Sequence, residues 1–358
     1  MAFEHGNVSL YMGPSAVGGP DNLLAAIVSF IDGAQKKLEI AVQELDEPAI
    51  AEAILRAKAK GVSVRVVLEA DYLMAKDAMD APTDEGQAQG EAHEINRKLH
   101  NYLLRAKIHV NADFNSHIFH QKFIVRDRKA VLTGSTNFTH TGTHRNLNHL
   151  VIIEDKAIAK CYADEFKEIR NGHFGKYNLE NLKAPKERKV SGLRIKALFA
   201  PDHSPEMEIM KQIAKAKERV DFAIFTFSKS SGIDDQLLLA RKAGIEVNGL
   251  FYRNQANQSW APLPALEAAG VNAQLIPGRN SKIKIGKLHH KLMVIDKQLV
   301  ITGSFNYTGP ANELNDENIL LIGDLQETDP AAITAQRKFA DFVLKEFDRI
   351  REDHWKPQ

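Results

Sequence analysis

The sequence predicts an α/β protein of two pseudo-symmetric halves, each a mostly parallel mixed sheet flanked by helices, with one site at their junction. Two observations predict it. The first is an internal repeat. His120-Gln121-Lys122 runs to Asp127, and after six more residues come Gly134-Ser135-Thr136-Asn137; His289-His290-Lys291 runs to Asp296, and after six more come Gly303-Ser304-Phe305-Asn306. Every position in the second block lies 169 residues after its counterpart, with no gap. Self-similarity of this kind marks a duplicated unit. The second observation is an alternation of short apolar runs with helical patterns, which implies layered α/β packing.

The elements follow one plan in both halves. Helices over 21–34 and 205–217 lead into strands at 38–43 and 220–225. Second helices, 48–60 and 233–243, stop at Gly61 and Gly244 and lead into strands at 61–68 and 244–250. Glycine just past a helix end is the expected stop. The motif blocks then give strands at 117–126 and 130–133, with counterparts at 288–295 and 299–302. Further strands at 149–154 and 318–322 precede closing helices that carry Glu165-Phe166 and Glu346-Phe347. The halves are residues 1–172 and 194–358. The linker is 173–193, rich in charge, glycine and proline. Residues 69–96 are an insertion in the first half.

Composition narrows the function. With 47 Lys and Arg against 46 Asp and Glu, the net charge is +1, which excludes a wholesale polycation but not a local basic groove. Cys161 is the only cysteine, so neither an intrachain disulfide nor a thiolate zinc cluster is expected. The first residues lack a signal-peptide pattern, and the apolar stretch 23–31 is too short to span a bilayer; a cytoplasmic location is expected. Charge is unevenly placed. The insertion carries eight acids, from Glu69 to Glu94, and one base, Lys76; it is read as a solvated loop, with an electrostatic lid or a partner-binding segment as the alternative. Residues 279–291 carry Arg279, Lys282, Lys284, Lys287 and Lys291 with no acid. The first four are read as nucleic-acid-binding.

The repeated letters suggest phosphate chemistry. Residues i and i+2 of a strand share a face, which puts His120 beside Lys122 and His289 beside Lys291. Gly134 and Gly303 allow a tight turn. Ser135, Ser304, Asn137 and Asn306 place hydroxyls and amides nearby, and the serines are read as phosphate-binding. Two imidazoles across a phosphate divide the work: one attacks phosphorus, the other protonates the leaving oxygen and then activates water. The lysines offset the charge, so no metal is required. Asp127 and Asp296 are read as backbone braces. His117, His140, His144 and His149 are read as hydrogen-bonded or solvated histidines rather than a zinc site, with His290 facing away from His289. Phe225 and Phe227 are read as core, and Trp260 as a stacking candidate.

His-x-Lys-x4-Asp-x6-Gly-Ser-x-Asn, twice, resembles the phospholipase D superfamily. The resemblance implies a phosphodiesterase with one active site between two halves, a phosphohistidine intermediate, no cofactor, and a monomer sufficient for the site. In that family a carboxylate commonly orients the motif histidine. The alignment puts Glu317 in that place in the second half and Asn148 in the first. Glu317 is therefore expected to raise the pKa of His289 and make it the general acid, leaving His120 neutral and nucleophilic. The leading expectation is a nuclease acting on DNA or RNA. A phospholipase D or phosphatidyltransferase acting on membrane lipid would share every catalytic residue but need an apolar surface. A non-catalytic nucleic-acid-binding scaffold would not need both histidines.

Overall fold

The computed structural model describes residues 2–74, 93–178, 183–279 and 285–354. The first half contributes β1 (Phe3–His5), β2 (Val8–Gly13), α1 (Leu23–Asp32), β3 (Lys37–Val42), α2 (Pro48–Ala59), β4 (Ser63–Leu68), α3 (Glu94–Arg105), β5 (His109–Ala112), β6 (Lys122–Arg126), β7 (Ala130–Gly134), α4 (His140–His144), β8 (Asn148–Ile153) and α5 (Lys156–Arg170). The second contributes β9 (Arg188–Val190), β10 (Leu193–Ala200), α6 (Pro205–Ile213), β11 (Arg219–Ile224), α7 (Ile233–Lys242), β12 (Glu246–Tyr252), α8 (Arg253–Ala256), α9 (Leu263–Ala268), β13 (Asn272–Ile276), β14 (Lys291–Ile295), β15 (Leu299–Gly303), α10 (Gly309–Glu313), β16 (Glu317–Ile322) and α11 (Pro330–His354).

Each half builds an eight-stranded sheet, in the orders β1-β2-β8-β7-β6-β3-β4-β5 and β13-β12-β11-β14-β15-β16-β10-β9. The sheets are mixed, but the expectation of mostly parallel pairing is corrected. Among the named strands of the described residues, only β3–β4 and β4–β5, with β11–β12 and β12–β13, pair in parallel. The motif strands β6, β7 and β8 pair antiparallel, as do β14, β15 and β16. The links β6–β7 and β14–β15 are only three residues long, too short for the crossover a parallel pair needs.

Local signals set the helices. The Asn22 side chain accepts the Ala25 N–H to start α1, and Asp155 accepts those of Ala157 and Ile158 to start α5, relieving N–H groups that a helix start leaves unpaired. The two sheets face each other across α5 and α11. Phe123, Tyr162, Phe166, Phe199, Leu292, Phe339 and Phe347 share this central core. Tyr162 packs edge-on to Phe123 of the first sheet and Phe199 of the second, at 5.1 and 5.0 Å. The outer faces pack separately under α1 and α2 and under α6 and α7. Burying aromatic residues from both halves in one layer fixes the junction at which the motifs meet.

Some boundaries differ from expectation. The ladders begin at Lys122 and Lys291, so His120 and His289 sit just before the strands. Residues 188–190, inside the expected linker, form β9 and pair with β10. Most of the acidic insertion, residues 75–92, lies outside the described residues. Glu69 is not a solvated loop acid: it is buried at the end of β4 and accepts the Phe119 N–H at 2.6 Å. Burial, with Asp113 beside it, pushes its carboxyl up to about 9. Among the described residues no helix is long and apolar enough to cross a membrane.

Candidate active site

Each motif histidine is held by the backbone of the other half. The His120 N–H donates to Asp316 O at 3.0 Å, and the His289 N–H donates to Leu147 O at 2.9 Å. Phe119 bridges Asp316, and Leu288 bridges Leu147. The segment before β6 therefore runs beside the start of β16, and the segment before β14 beside the start of β8.

That exchange crosses the side-chain partners. His120 Nδ1 lies 2.8 Å from the Glu317 carboxylate. His289 Nδ1 lies 2.9 Å from Asn148 Oδ1. The expected pairing, Glu317 with His289 and Asn148 with His120, is thus corrected, and the reason is topological. Glu317 and Asn148 open β16 and β8, and the histidine that meets each strand start belongs to the opposite half. The Asn148 amide is fixed in orientation because its Nδ2 donates to Gly142 O at 2.9 Å; its Oδ1 faces His289 and accepts the Nδ1–H. Both rings thereby carry their Nδ1–H on the protein side and leave Nε2 for substrate.

The serines stand behind the histidines. Ser135 Oγ donates to Asn148 Oδ1 at 2.8 Å, and Ser304 Oγ donates to Glu317. Both are wholly buried, so the expectation that they bind phosphate directly is corrected: their hydroxyls are spent on the histidine partners. Gly134 and Gly303 place them. A Cβ on Gly134 would fall 2.3 Å from His149 O, and one on Gly303 would fall 2.2 Å from Asn318 O; φ is +152° and +149°. Asn137 and Asn306 are half-buried, and the Oδ1 of each has no hydrogen-bond partner among the described residues. Asp127 accepts the N–H groups of Gln35, Lys36 and Lys37, and Asp296 those of Lys217, Glu218 and Arg219, at the far ends of the motif strands.

Lys122 Nζ donates to His120 O at 2.8 Å and to Gln43 Oε1 at 3.1 Å; Lys291 Nζ donates to His289 O at 3.0 Å. Burial lowers the Lys122 ammonium to about 7 and takes Lys291 well below its ordinary value. Burial, then Lys122, Lys291 and Lys287, holds His120 well below the ordinary histidine value; burial and the same lysines do so for His289. Burial pushes Glu317 up to about 8, against the pull of Lys122, Ser304 and Lys291. Such a cluster is short of negative charge and suits an anion that would restore the charged lysines.

Lys287, read from the sequence as a polymer contact, acts on all four central groups. Its Nζ lies 4.9 Å from the Phe225 ring centroid, and Lys291 Nζ lies 5.0 Å from it. Phe225, expected in the core, is half-buried; it meets the His289 ring edge-on at 4.9 Å and stacks on Tyr252 at 5.4 Å. The signal for it was its place just past β11, the strand beside β14. Arg279 is exposed, and Lys282 and Lys284 lie outside the described residues. His149 and His290 pack against each other in the core, Nδ1 to Nδ1 at 3.1 Å. His140 and His144 stack beside Glu47.

Two histidines, each with a fixed Nδ1 partner, between two buried lysines form a single two-fold site supplied by one chain. The family profile described as "Cardiolipin synthase, PLD-like domain" matches residues 27–170 and 209–350. The chain belongs to the phospholipase D superfamily. It is 30% identical over 149 residues to the mitochondrial cardiolipin hydrolase of Xenopus tropicalis, a match covering 42% of this chain and 61% of that protein. It is 34% identical over 136 residues to a phospholipase D of Rickettsia conorii, covering 38% of this chain and 58% of that one. The matches thus span about three fifths of these relatives' length. The phosphatidylserine synthase of Haemophilus influenzae shares the fold with a TM-score of 0.68 and 16% identity, covering 99% of this chain and 89% of that one. The polyphosphate kinase of Porphyromonas gingivalis aligns with a TM-score of 0.59 and 12% identity over 94% of this chain and 47% of that one.

Proposed function

We propose that the protein is a metal-independent phosphodiesterase that cleaves nucleic acid through a phosphohistidine at His120. The observation that carries the chemistry is the crossed pair, Glu317 on His120 and Asn148 on His289. His120 Nε2 attacks phosphorus; the P–N bond forms as the P–O bond to the leaving group breaks. The ring becomes cationic, and Glu317 stabilises that charge through Nδ1–H. The negative charge of the bound phosphate draws a proton onto His289 Nε2, against the burial and lysine charges that disfavour it in the free site, and His289 gives that proton to the leaving oxygen. Its partner is a neutral amide, which does little to hold the proton back. In the second step His289 takes a proton from water, water oxygen attacks phosphorus, and the P–N electrons return to His120. Lys122, Lys291, Asn137 and Asn306 hold the non-bridging oxygens.

Lys287 and the Phe225–Tyr252 pair support a nucleic-acid substrate. A third ammonium beside the reacting phosphate suits a neighbouring phosphate, and a half-buried ring stack suits a base. Arg279, and Lys282 and Lys284 beyond the described residues, extend this reading, and a cytoplasmic location accompanies it. A second reading, a lipid phosphodiester, is favoured by the names of the cardiolipin hydrolase and phospholipase D relatives. Phe114 and Ile118, exposed on the segment that leads into His120, also favour it. Purified protein in excess EDTA, given single-stranded DNA, RNA, and vesicles of cardiolipin or phosphatidylcholine, tests both. Cleavage of an oligonucleotide in EDTA supports the nuclease; release of phosphatidic acid alone replaces it with the lipid reading; activity only on added metal overturns the chemistry.

A further inference from the structure

The strands that flank the two motifs end alike in backbone and unlike in side chains. Gln43 follows β3, and Phe225 follows β11. The Gln43 N–H donates to Gln121 O at 2.9 Å, and the Phe225 N–H donates to His290 O at 3.1 Å, so the two hold equivalent places beside the motif lysines. One strand over, Glu69 and Tyr252 are equivalent too, since the ladder pairs just before them are Val42 with Leu68 and Ile224 with Phe251. In the first half both side chains are spent on the protein. Gln43 Oε1 accepts Lys122 Nζ at 3.1 Å, and its Nε2 donates to Tyr72 Oη at 3.0 Å. Glu69 accepts the N–H groups of Phe119 and Asp71.

In the second half the same two places hold a stack of rings. Phe225 lies 5.4 Å from Tyr252 at an interplanar angle of 26°, and both are half-buried. Local contacts fix Tyr252. Its Oη accepts Asn254 Nδ2 at 3.2 Å, and Gly278 packs so close that a Cβ there would fall 2.6 Å from that oxygen. Phe225 meets the His289 ring edge-on at 4.9 Å, and the Nζ atoms of Lys287 and Lys291 lie 4.9 and 5.0 Å from its centroid. A planar group attached to a phosphate would find a ring and two ammoniums together here.

In-line displacement sets the attacking atom and the leaving oxygen on opposite sides of phosphorus. With His120 as nucleophile, the leaving oxygen faces His289, and the group bonded to it emerges against Phe225. We propose that Phe225 and Tyr252 form the leaving-group subsite, which stacks the base of the nucleoside that departs, while the part kept on His120 lies on the Gln43 side. This subsite depends on His120 being the nucleophile and adds a direction to the cleavage: aromatic recognition acts on the departing side. By microscopic reversibility an incoming alcohol occupies the same subsite in the second step. The alcohol gives its proton to His289 Nε2, its oxygen bonds phosphorus, and the P–N electrons return to His120.

Two dinucleotides, each lacking one base on a different side of the phosphate, test it against the intact dinucleotide. The product that carries the phosphate identifies the retained side. Deleting the base of the departing nucleoside should lower kcat/KM by roughly ten- to a hundred-fold, the range that base–aromatic stacking supplies; deleting the other should cost little. Phe225→Leu should bring the intact and the departing-side abasic substrates to the same kcat/KM, and Tyr252→Leu serves should that variant fail to fold. A penalty on the phosphate-keeping side that Phe225→Leu removes overturns the proposal, and so does a penalty indifferent to both variants. A second arm needs no nucleic acid: the full-length protein is given a nitrophenyl phosphodiester with equal concentrations of ethanol and benzyl alcohol, which are of similar acidity. The benzyl diester should exceed the ethyl one several-fold, and Phe225→Leu should abolish that preference. Where the dinucleotides are spared, equal yields or none overturn the proposal, whereas a preserved benzyl preference supports the subsite and removes only the nuclease reading.

Discussion

His120 Nδ1 lies 2.8 Å from a carboxylate supplied by the opposite half of the chain, Glu317. The pseudo-twofold equivalent of that pair, His289 with Asn148 at 2.9 Å, has an amide instead. A site that is symmetric in its letters is therefore asymmetric in its charge, and the asymmetry assigns the two histidines different work.

Glu317→Gln makes the halves alike. Without the carboxylate, the cationic ring that forms on His120 during attack loses its stabilising partner, and kcat should fall by roughly 10²–10⁴. Asn148→Asp does the reverse to His289. It holds that imidazolium's proton more tightly and should slow cleavage most for poor leaving groups. Rates on a series of diesters with leaving groups of graded pKa check this. Equal loss across the series for both variants would contradict the roles.

Anion binding should take up protons. In the free site burial keeps Lys122 near 7 and Glu317 near 8. A bound dianion favours the charged ammonium, so Lys122 gains a proton above about 7. Affinity for tungstate should weaken as pH rises from 7 to 9, by up to about tenfold per unit for each proton taken up. Calorimetry in buffers of different ionisation enthalpy measures that proton count directly; a flat profile would contradict the burial argument.

Lys287 and Arg279 should separate. Lys287→Met should raise KM about tenfold for small and polymeric diesters alike, because the ammonium acts on the reacting centre. Arg279→Ala should leave a small diester unchanged, weaken polymer binding and lower its salt slope by about one. Uniform loss from Arg279→Ala would bring that residue into the centre.

Gly134→Ala and Gly303→Ala should each destabilise by roughly 3 kcal/mol in chemical denaturation. Their Cβ atoms would overlap carbonyl oxygens, and each φ lies in the left-handed half of the map. A cost under about 1 kcal/mol would mean that the turn adapts.

The repeat, the motif letters and the two-half architecture were legible because they are patterns along the chain. The crossed partners were not. In the linear alignment Glu317 and Asn148 fall beside their own half's histidine, and only packing of the two sheets shows that each strand start meets the other half. The serines were misread for a related reason: a hydroxyl serves a phosphate or a carboxylate equally well, and burial decides which. Phe225 sits one residue past an apolar strand, where the same letters fit core or cleft. Helices between strands favour parallel pairing, but the three-residue links inside each motif permit only antiparallel pairs.

The central claim is that His120 is the residue phosphorylated. Mass spectrometry of the His289→Ala variant, incubated in EDTA with a nitrophenyl phosphodiester and quenched in alkaline denaturant, tests it most directly. The activated leaving group needs no general acid, and hydrolysis of the intermediate is slowed, so the adduct should accumulate on the peptide containing His120, as an acid-labile phosphoramidate. His120→Ala should give none under the same conditions. An adduct found on His289 in that second variant, with none on His120 in the first, would contradict the account and exchange the two roles.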